Sequence, residues 1–219
     1  MAPRMKVHIA ARRAFLLALA GSAAQALAQI TPRARQNLEY RLIEKQPVET
    51  GDRIEVIDFF WYGCPFCNAL QPALEAWIKR KPDDVALRRV PVLLRDSWAP
   101  HARIYYALEL LNEVERLHLK VYHSYHVEEL HMSKPDVMEQ WAVKNGIDRR
   151  RWLDAYYSPE VDGKIARAKR MTEIYTIKGT PSLVVDGRYL TSGDMPSTLQ
   201  GVIPVLEDLI HLARRDRGK

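Results

Sequence analysis

The chain has 219 residues, two cysteines and a formal net charge of +6 at pH 7. Residues 1–28 contain four of its 33 basic residues and none of its 27 acidic residues, so the remaining 191 residues carry a net charge of only +2. The charge is small, and no stripe of basic residues with interleaved aromatic residues is present. Both observations argue against nucleic acid as a partner. The remaining length fits one domain, or one domain with an insertion.

The first 28 residues predict a secretory signal peptide that is removed after Ala28. Basic residues come first, an apolar run over residues 14–20 follows, and small residues end the segment. The apolar run is too short to cross a membrane comfortably, although an uncleaved anchor is an alternative. Arg12 and Arg13 also resemble a twin-arginine signal, and we favour ordinary secretion. We therefore expect the cysteines to work in an oxidising compartment.

The first elements after the signal peptide predict a β-α-β unit. Residues 29–50 are polar and predict a lead-in rather than a dimerisation domain. Residues 54–61 and 85–94 are mostly apolar, as is typical of parallel strands that are covered on both faces. Between them, apolar side chains at spacings of three and four over residues 69–78 predict a helix. The three elements together make the β-α-β unit.

The two cysteines lie together in Cys64-Pro65-Phe66-Cys67, between the first strand and its helix. The start of a helix presents unpaired N–H groups and a positive dipole end, which favour a thiolate at Cys64 over a thiol. Cys64 is therefore the predicted nucleophile, and Cys67, three residues further on, is the predicted resolving thiol. Pro65 suits the first helical position because its missing N–H would have no helical partner there. The pattern predicts thiol–disulfide exchange.

Two other uses of this cysteine pair stay open. A purely structural disulfide would close a very short loop and add little stability. A closed zinc site needs four ligands, and histidines would have to complete it because the chain has no second CxxC. The histidines of the middle region suit helix surfaces and loops better than metal binding; they are His118, His123, His126 and His131. We predict no bound metal and no other cofactor.

The second half of the chain predicts helices and then a return of the sheet. Helical patterns cover the segments 102–111, 114–127, 135–144, 152–157 and 161–175. Residues 182–185 and 188–190 resemble strands, and Asp186-Gly187 between them is a strong signal for a type I′ hairpin turn. A last helix follows with an apolar stripe, in which Gly201 and Pro204 predict a kink or a later start.

These elements predict an α/β protein with a thioredoxin-like fold and an inserted all-helical domain. We divide the chain into a signal peptide, a lead-in, a first thioredoxin-like part, a helical insertion and a second thioredoxin-like part: 1–28, 29–50, 51–95, 96–170 and 171–219. The sequence resembles the DsbA family of periplasmic thiol:disulfide oxidoreductases along most of the mature chain. The resemblance depends on Asp58 to Cys67, on Arg89-Val90-Pro91-Val92, on Pro100-His101 with Tyr105-Tyr106-Ala107-Leu108, and on Gly179-Thr180-Pro181.

The resemblance implies roles for three residues outside the CxxC. Pro181 is expected to be a cis-proline opposite the cysteines, and the backbone of Thr180 to pair with an extended client peptide. An ordinary strand-initiating proline is the alternative for Pro181. Asp58 stands where the family carries an acidic residue, usually Glu, and a buried carboxyl there would exchange a proton with Cys67. The alternative for Asp58 is a carboxylate that faces solvent at the strand edge.

Phe66 departs from the family pattern, which usually has a histidine at this place in the CxxC. An imidazole stabilises the Cys64 thiolate through a hydrogen bond or a positive charge, and phenylalanine does neither. We therefore predict a less oxidising cysteine pair, and a higher pKa at Cys64, than in the relatives that carry histidine.

Together, these observations predict a monomeric enzyme that introduces disulfides into unfolded or reduced exported proteins. The resemblance implies that a DsbB-type membrane quinone reductase reoxidises it. A periplasmic reductase for a dedicated client is the nearest alternative. A metal-binding or delivery protein that uses Cys64, Cys67 and a histidine is the alternative from another class. A dimeric isomerase fits less well, because residues 29–50 are too short for the extra N-terminal domain of those enzymes.

Overall fold

A computed structural model describes residues 33–218, and the predicted signal peptide lies outside this range. The main elements in chain order are β1 (Arg41–Leu42), β2 (Ile54–Phe60), α1 (Pro65–Arg80), β3 (Val85–Pro91), α2 (Ala99–Leu110), α3 (Val114–His126), α4 (Pro135–Lys144), α5 (Arg149–Tyr156), α6 (Pro159–Ile174), β4 (Ser182–Val185), β5 (Tyr189–Ser192) and α7 (Val202–Asp216). No helix within residues 33–218 is long and apolar enough to cross a membrane.

The five strands form one mixed sheet in the order β1-β5-β4-β2-β3. Strand β2 lies inside the sheet, parallel to β3 and antiparallel to β4. All seven of its residues are buried, which explains why its sequence is nearly unbroken in apolar residues. This strand leads directly to the CxxC, so the cysteines are attached to the most buried part of the sheet.

Both faces of the sheet are covered by helices. On one face, Val56 of β2 belongs to the same apolar cluster as Leu74 of α1 and Leu206 of α7. On the other face, Phe59 packs against Tyr175 with ring centroids 5.3 Å apart, within a cluster that extends into the inserted helices. Each fully buried side chain of this size stabilises the fold by roughly 1.5–3 kcal/mol. The site therefore lies on a rigid, well-packed sheet.

Helices α2 to α6 lie between β3 and β4 in the chain and match the five predicted helices to within three residues. Local signals explain several of their starts. Pro135 and Pro159 occupy first-turn positions, and the side chains of Asp148 and Ser158 accept hydrogen bonds from the N–H three residues further on. The domain boundaries after residues 95 and 170 stay predictions, and α6 continues across the second of them.

The predicted hairpin joins β4 and β5 through Asp186 and Gly187. Their φ angles are 52° and 67°, and a type I′ turn requires positive values at both positions. A Cβ atom at Gly187 would lie 2.2 Å from the carbonyl oxygen of Gln46, so this close approach also depends on glycine. Helix α7 begins at Val202, directly after Gly201. Of the two predicted alternatives, a kink or a later start of this helix, the later start is confirmed.

The structure differs from the prediction in two elements. Residues 29–50 are more than a lead-in, because they contain β1, which pairs with β5 at the edge of the sheet. Strand β3 ends at Pro91 instead of residue 94, and proline has no N–H to continue a ladder of hydrogen bonds.

Candidate active site

Cys64 is the N-cap residue of α1. Its Sγ accepts a hydrogen bond from the N–H of Cys67 over 3.4 Å, and Pro65 lies in the first turn, as predicted. The N–H of Cys64 donates to the carbonyl of Trp61 over 3.0 Å, which ties the loop to the end of β2. Both cysteines are free thiols. The sulfur of Cys64 therefore lies at the positive end of the helix dipole, which stabilises a thiolate.

The two cysteines have opposite pKa shifts. A hydrogen bond from the Cys67 side chain lowers the pKa of Cys64 to about 6; the side chain of Thr180 and the N–H groups of Cys67 and Phe66 act in the same direction against burial. Burial raises the pKa of Cys67 well above its usual value, and the neighbouring Cys64 and Asp58 add to this effect. The pair therefore contains one thiolate at neutral pH, on Cys64, and one protonated thiol, on Cys67.

The segment before β4 meets Cys64 although it is far away in the chain. The Thr180–Pro181 peptide bond is cis, as the resemblance implied. The Sγ of Cys64 lies 3.2 Å from the carbonyl oxygen of Thr180. The N–H of Gly193, directly after β5, donates to the carbonyl of Pro181 over 3.0 Å, which ties the proline segment to the end of that strand.

A groove of about 710 Å³ is lined by Phe66 of the CxxC and by Thr180, whose carbonyl oxygen contacts Cys64. Its apolar lining includes Phe66, Pro181, Leu190 and Met195, and Lys178 also borders it. The Phe66 side chain is 64% exposed, which is unusual for a large apolar residue beside a reactive sulfur. We call this cavity the Phe66 groove. Its shape and lining suit an extended peptide with apolar side chains.

Asp58 is buried in β2, with 1% of its surface exposed. This excludes the alternative of a solvent-facing carboxylate. Its partner in the parallel register is Arg89 of β3, whose guanidinium donates to Glu75 over 2.6 Å. The Oδ2 atom of Asp58 has no hydrogen-bond partner among residues 33–218. Burial raises the pKa of Asp58 to about 7, against the opposite effect of the Arg89 charge.

Aromatic and imidazole rings pack around the chain between β2 and the cysteines. The Tyr62 hydroxyl lies 2.8 Å from Nδ1 of His118, and Tyr122 packs edge-on against Tyr62 with ring centroids 5.0 Å apart. The Nε2 of His126 lies 2.8 Å from the carbonyl oxygen of Tyr62, to which it donates. Three residues of α3 thus attach the inserted helices to the loop that carries Cys64.

A pair of stacked indoles covers the same loop from the side of α2. Trp61 stacks on Trp98 with ring centroids 4.0 Å apart and planes 2° apart. A Cβ atom at Gly63 would lie 2.3 Å from the Trp61 ring, so only glycine allows this ring position. The ring of His101 also stacks on Trp61, with ring centroids 5.7 Å apart. Burial lowers the pKa of His101 to about 4.

The histidines of the middle region do not form a metal site. His118 is buried, so the prediction of surface positions is wrong for it, because its ring nitrogen bonds to Tyr62 inside the core. His123 is exposed beside Glu128, and His131 is exposed. Within residues 33–218, no three His, Cys, Asp or Glu side chains are arranged to hold a metal ion. In this part of the chain, Cys64, Cys67 and a histidine are therefore not brought together as the metal-delivery alternative requires.

Sequence reasoning did not single out the ring cluster or the partner of Asp58. A signal for the cluster was present, because positions 118, 122 and 126 follow each other at four-residue spacing and therefore share one face of α3. No signal in the sequence connects that face to the cysteines, which lie on another helix. In the sequence, Arg89 stands out only as part of a motif. Its position opposite Asp58 depends on strand register, which the sequence does not show.

Comparisons with known proteins agree with this geometry. Residues 96–203 match the family described as "DSBA-like thioredoxin domain". The chain is 32% identical over 190 residues to "Thiol:disulfide interchange protein DsbA" of Burkholderia cepacia, covering 85% of this chain and 90% of that protein. It is 34% identical over 202 residues to the protein of the same name from Bordetella parapertussis, covering 91% and 96%.

Among solved structures, that of Pseudomonas aeruginosa DsbA is similar with a TM-score of 0.81 and 28% identity, covering 85% of this chain and 97% of the other. This similarity covers most of both chains. It confirms the predicted thioredoxin-like fold with its helical insertion.

Proposed function

This chain belongs to the DsbA family of thiol:disulfide oxidoreductases, and we propose that it introduces disulfides into exported proteins in the periplasm through Cys64 and Cys67. The observation that carries the proposal is the opposite behaviour of the two thiols. Cys64 has a pKa of about 6 and lies beside the cis-proline, whereas the pKa of Cys67 is raised by burial. The low pKa makes Cys64 a good leaving group when a client thiolate resolves the mixed disulfide, whereas Cys67 needs a proton when it departs from the enzyme disulfide.

The reaction begins with the enzyme disulfide and a client thiolate. The client sulfur attacks Sγ of Cys64, the bond between Cys64 and Cys67 breaks, and its electron pair remains on Cys67. Asp58, with a pKa of about 7, supplies the proton that neutralises this buried thiolate. A second client thiolate then attacks the client sulfur of the mixed disulfide and releases Cys64 as a thiolate. The client gains a disulfide, and the enzyme holds the two electrons as a dithiol.

Clients would bind as extended chains across the segment that contains Thr180 and Pro181. This segment precedes β4 and lies directly beside the nucleophile, so backbone groups there are placed to pair with a client strand. The Phe66 groove would hold apolar side chains near the client cysteine. Unfolded or reduced exported proteins offer both features, because their backbones and apolar side chains are accessible.

The reduced enzyme has to be oxidised again for another cycle. We propose a DsbB-type membrane quinone reductase as the oxidant, and a monomer as the working form. The sulfur of Cys64 would then meet clients and the membrane partner in turn, because Cys64 has 6% of its surface exposed and Cys67 only 1%.

The equilibrium between the cysteine pair and glutathione tests the direction of electron flow. The mature chain from Gln29 is equilibrated in glutathione buffers, and the thiols are trapped and counted. A reduction potential well above that of glutathione supports a disulfide donor. A potential near that of thioredoxin would instead favour the reductase for a dedicated client.

We expect Phe66→His to make the pair more oxidising. Histidine would offer a donor or a positive charge to the Cys64 thiolate, and each unit by which it lowers the Cys64 pKa corresponds to a rise of about 30 mV in reduction potential. Phe66→Leu is the matched control, since it stays apolar and adds no donor. Thiolate absorbance gives the pKa, and glutathione equilibration gives the potential. An unchanged or lower potential in Phe66→His would sink the idea.

A further inference from the structure

Two cations border the Phe66 groove without an acidic partner. Arg41 of β1 and Lys178, which follows α6, both belong to its lining. Neither side chain forms an ion pair with an acid among residues 33–218. In the cavity beside β3, by contrast, every basic residue of the lining is paired with a glutamate; these residues are Arg88, Arg89, Lys164 and Arg167. The two positive charges of the Phe66 groove are therefore available to a bound molecule.

The fold holds both cations near the nucleophile. The guanidinium of Arg41 donates to the carbonyl of Thr176 over 2.9 Å, which places it at the end of α6. Lys178 is two residues before Thr180, whose carbonyl oxygen contacts Cys64. Because consecutive Cα atoms are 3.8 Å apart, the Cα atoms of Lys178 and Thr176 lie within about 8 Å and about 15 Å of that of Thr180. An extended client chain advances about 3.3 Å per residue, so residues two to four positions from its cysteine reach these distances.

The rest of the lining leaves the positive charge in excess. Within residues 33–218, Asp194 is the single acid of the lining. Its carboxylate accepts a hydrogen bond from the hydroxyl of Ser192, and it forms no ion pair with either cation. Two positive charges thus stand against one negative charge, beside the exposed ring of Phe66. A cleft with apolar walls strengthens the attraction between such charges and a ligand of opposite sign.

We propose that the Phe66 groove selects client segments in which an apolar residue neighbours the reactive cysteine and acidic residues lie two to four positions from it. The inference deepens the proposed function and rests on it. Arg41 and Lys178 are the specificity-determining residues, because a client carboxylate would supply the ion pairs that they lack in the free enzyme. They bind the client and take no part in the exchange of electrons, which stays with Cys64 and Cys67.

Two dithiol peptides test this selection. Both contain two cysteines with a leucine beside them, and they differ only in carrying Asp or Asn at two to four positions from the nearer cysteine on each flank. Thiol trapping gives the second-order rate constant with which each peptide reduces the Cys64–Cys67 disulfide. The ratio of the Asp rate to the Asn rate is the acidic preference. At low salt, the double variant Arg41→Gln/Lys178→Gln should lower this preference about fivefold, as is typical for exposed ion pairs.

Lys79→Gln is the matched control, because it removes a positive charge at the far end of α1 from the CxxC. It should keep the preference of the unmodified protein. Any effect of Asp on the thiols of the peptide itself is the same for every variant and cancels in this comparison. Lys178→Glu should lower the preference further than Lys178→Gln. This side chain is exposed, so reversing its charge tests the electrostatic attraction without disturbing the packed core.

The possible outcomes separate the inference from the proposed function. An equal preference in the double variant and the unmodified protein overturns the inference. An equal loss in Lys79→Gln also overturns it, since net charge alone would then attract the acidic peptide. If neither peptide reduces the disulfide of the unmodified protein, the proposed function fails as well.

Discussion

Cys67→Ser is expected to convert the protein into a trap for its clients. Cys64 keeps the backbone N–H groups of residues 66 and 67 that lower its pKa, and the serine hydroxyl is a donor in place of the Cys67 thiol, so Cys64 still attacks client disulfides and forms mixed disulfides with them. Without the Cys67 thiol, the enzyme cannot release a bound client by forming its own disulfide. We expect catalytic turnover to be lost completely and covalent complexes to accumulate. Non-reducing electrophoresis of the purified variant with exported proteins, before and after dithiothreitol, measures them.

Cys64→Ser is the matched control for the trap. It keeps the second thiol, but Cys67 is buried and its pKa is raised, so we expect no mixed disulfides with clients. The assignment of nucleophile and resolving thiol would be reversed if Cys64→Ser formed the complexes and Cys67→Ser did not. Equal trapping by both variants would show that the burial of Cys67 does not restrict access.

Asp58→Asn is expected to stabilise the protein at neutral and alkaline pH. Burial raises the pKa of Asp58 from 3.8 to about 7, so the folded protein holds a proton that the unfolded chain releases. Between about pH 4 and pH 7, stability therefore falls as the pH rises, and above pH 7 the full penalty is present. A shift of this size corresponds to about 4 kcal/mol. Asparagine keeps the shape and has no charge to bury.

Urea unfolding at pH 4 and pH 8 measures this effect. We expect the two proteins to differ little at pH 4 and Asp58→Asn to be more stable by about 4 kcal/mol at pH 8. Glu55→Gln is the matched control on the same strand. Glu55 is also buried, but its carboxylate accepts from Arg88 over 2.9 Å, so its loss should destabilise the protein. A pH-independent difference for Asp58→Asn would mean that Asp58 does not titrate with a raised pKa.

The increased stability of Asp58→Asn should be accompanied by slower disulfide opening. The same carboxyl that opposes folding at neutral pH is the proposed proton donor to Cys67, and asparagine cannot give a proton. A buried acid that destabilises the fold but serves the reaction is an example of the trade-off between stability and activity at functional sites.

Features of the fold that depend on neighbouring residues in the chain could be predicted from the sequence. The apolar run of β2, the helix start at Pro65 and the five helices between β3 and β4 all follow local periodicity and capping. The turn at Asp186-Gly187 follows from the backbone angles that these two residues accept. The reactive cysteine pair could also be predicted from the sequence, because the spacing within one helical turn places both sulfurs together.

Contacts between distant segments could not be predicted in the same way. The short strand β1 has no apolar run of its own, and it exists because β5 offers an unpaired edge. The approach of Thr180 to Cys64 joins positions 116 residues apart, and here only a family resemblance pointed to it. The burial of Asp58 and its register with Arg89 likewise depend on which strands become neighbours.

The residues of the chain therefore specify the reactive chemistry, since a CxxC at a helix start already separates a nucleophile from a resolving thiol through local backbone and dipole effects. Packing decides how strongly the two sulfurs differ. Burial depends on every element that covers a group, and it sets the raised pKa of Cys67 and the raised pKa of Asp58. Desolvation is a property of the assembled core, and no local pattern of residues contains it.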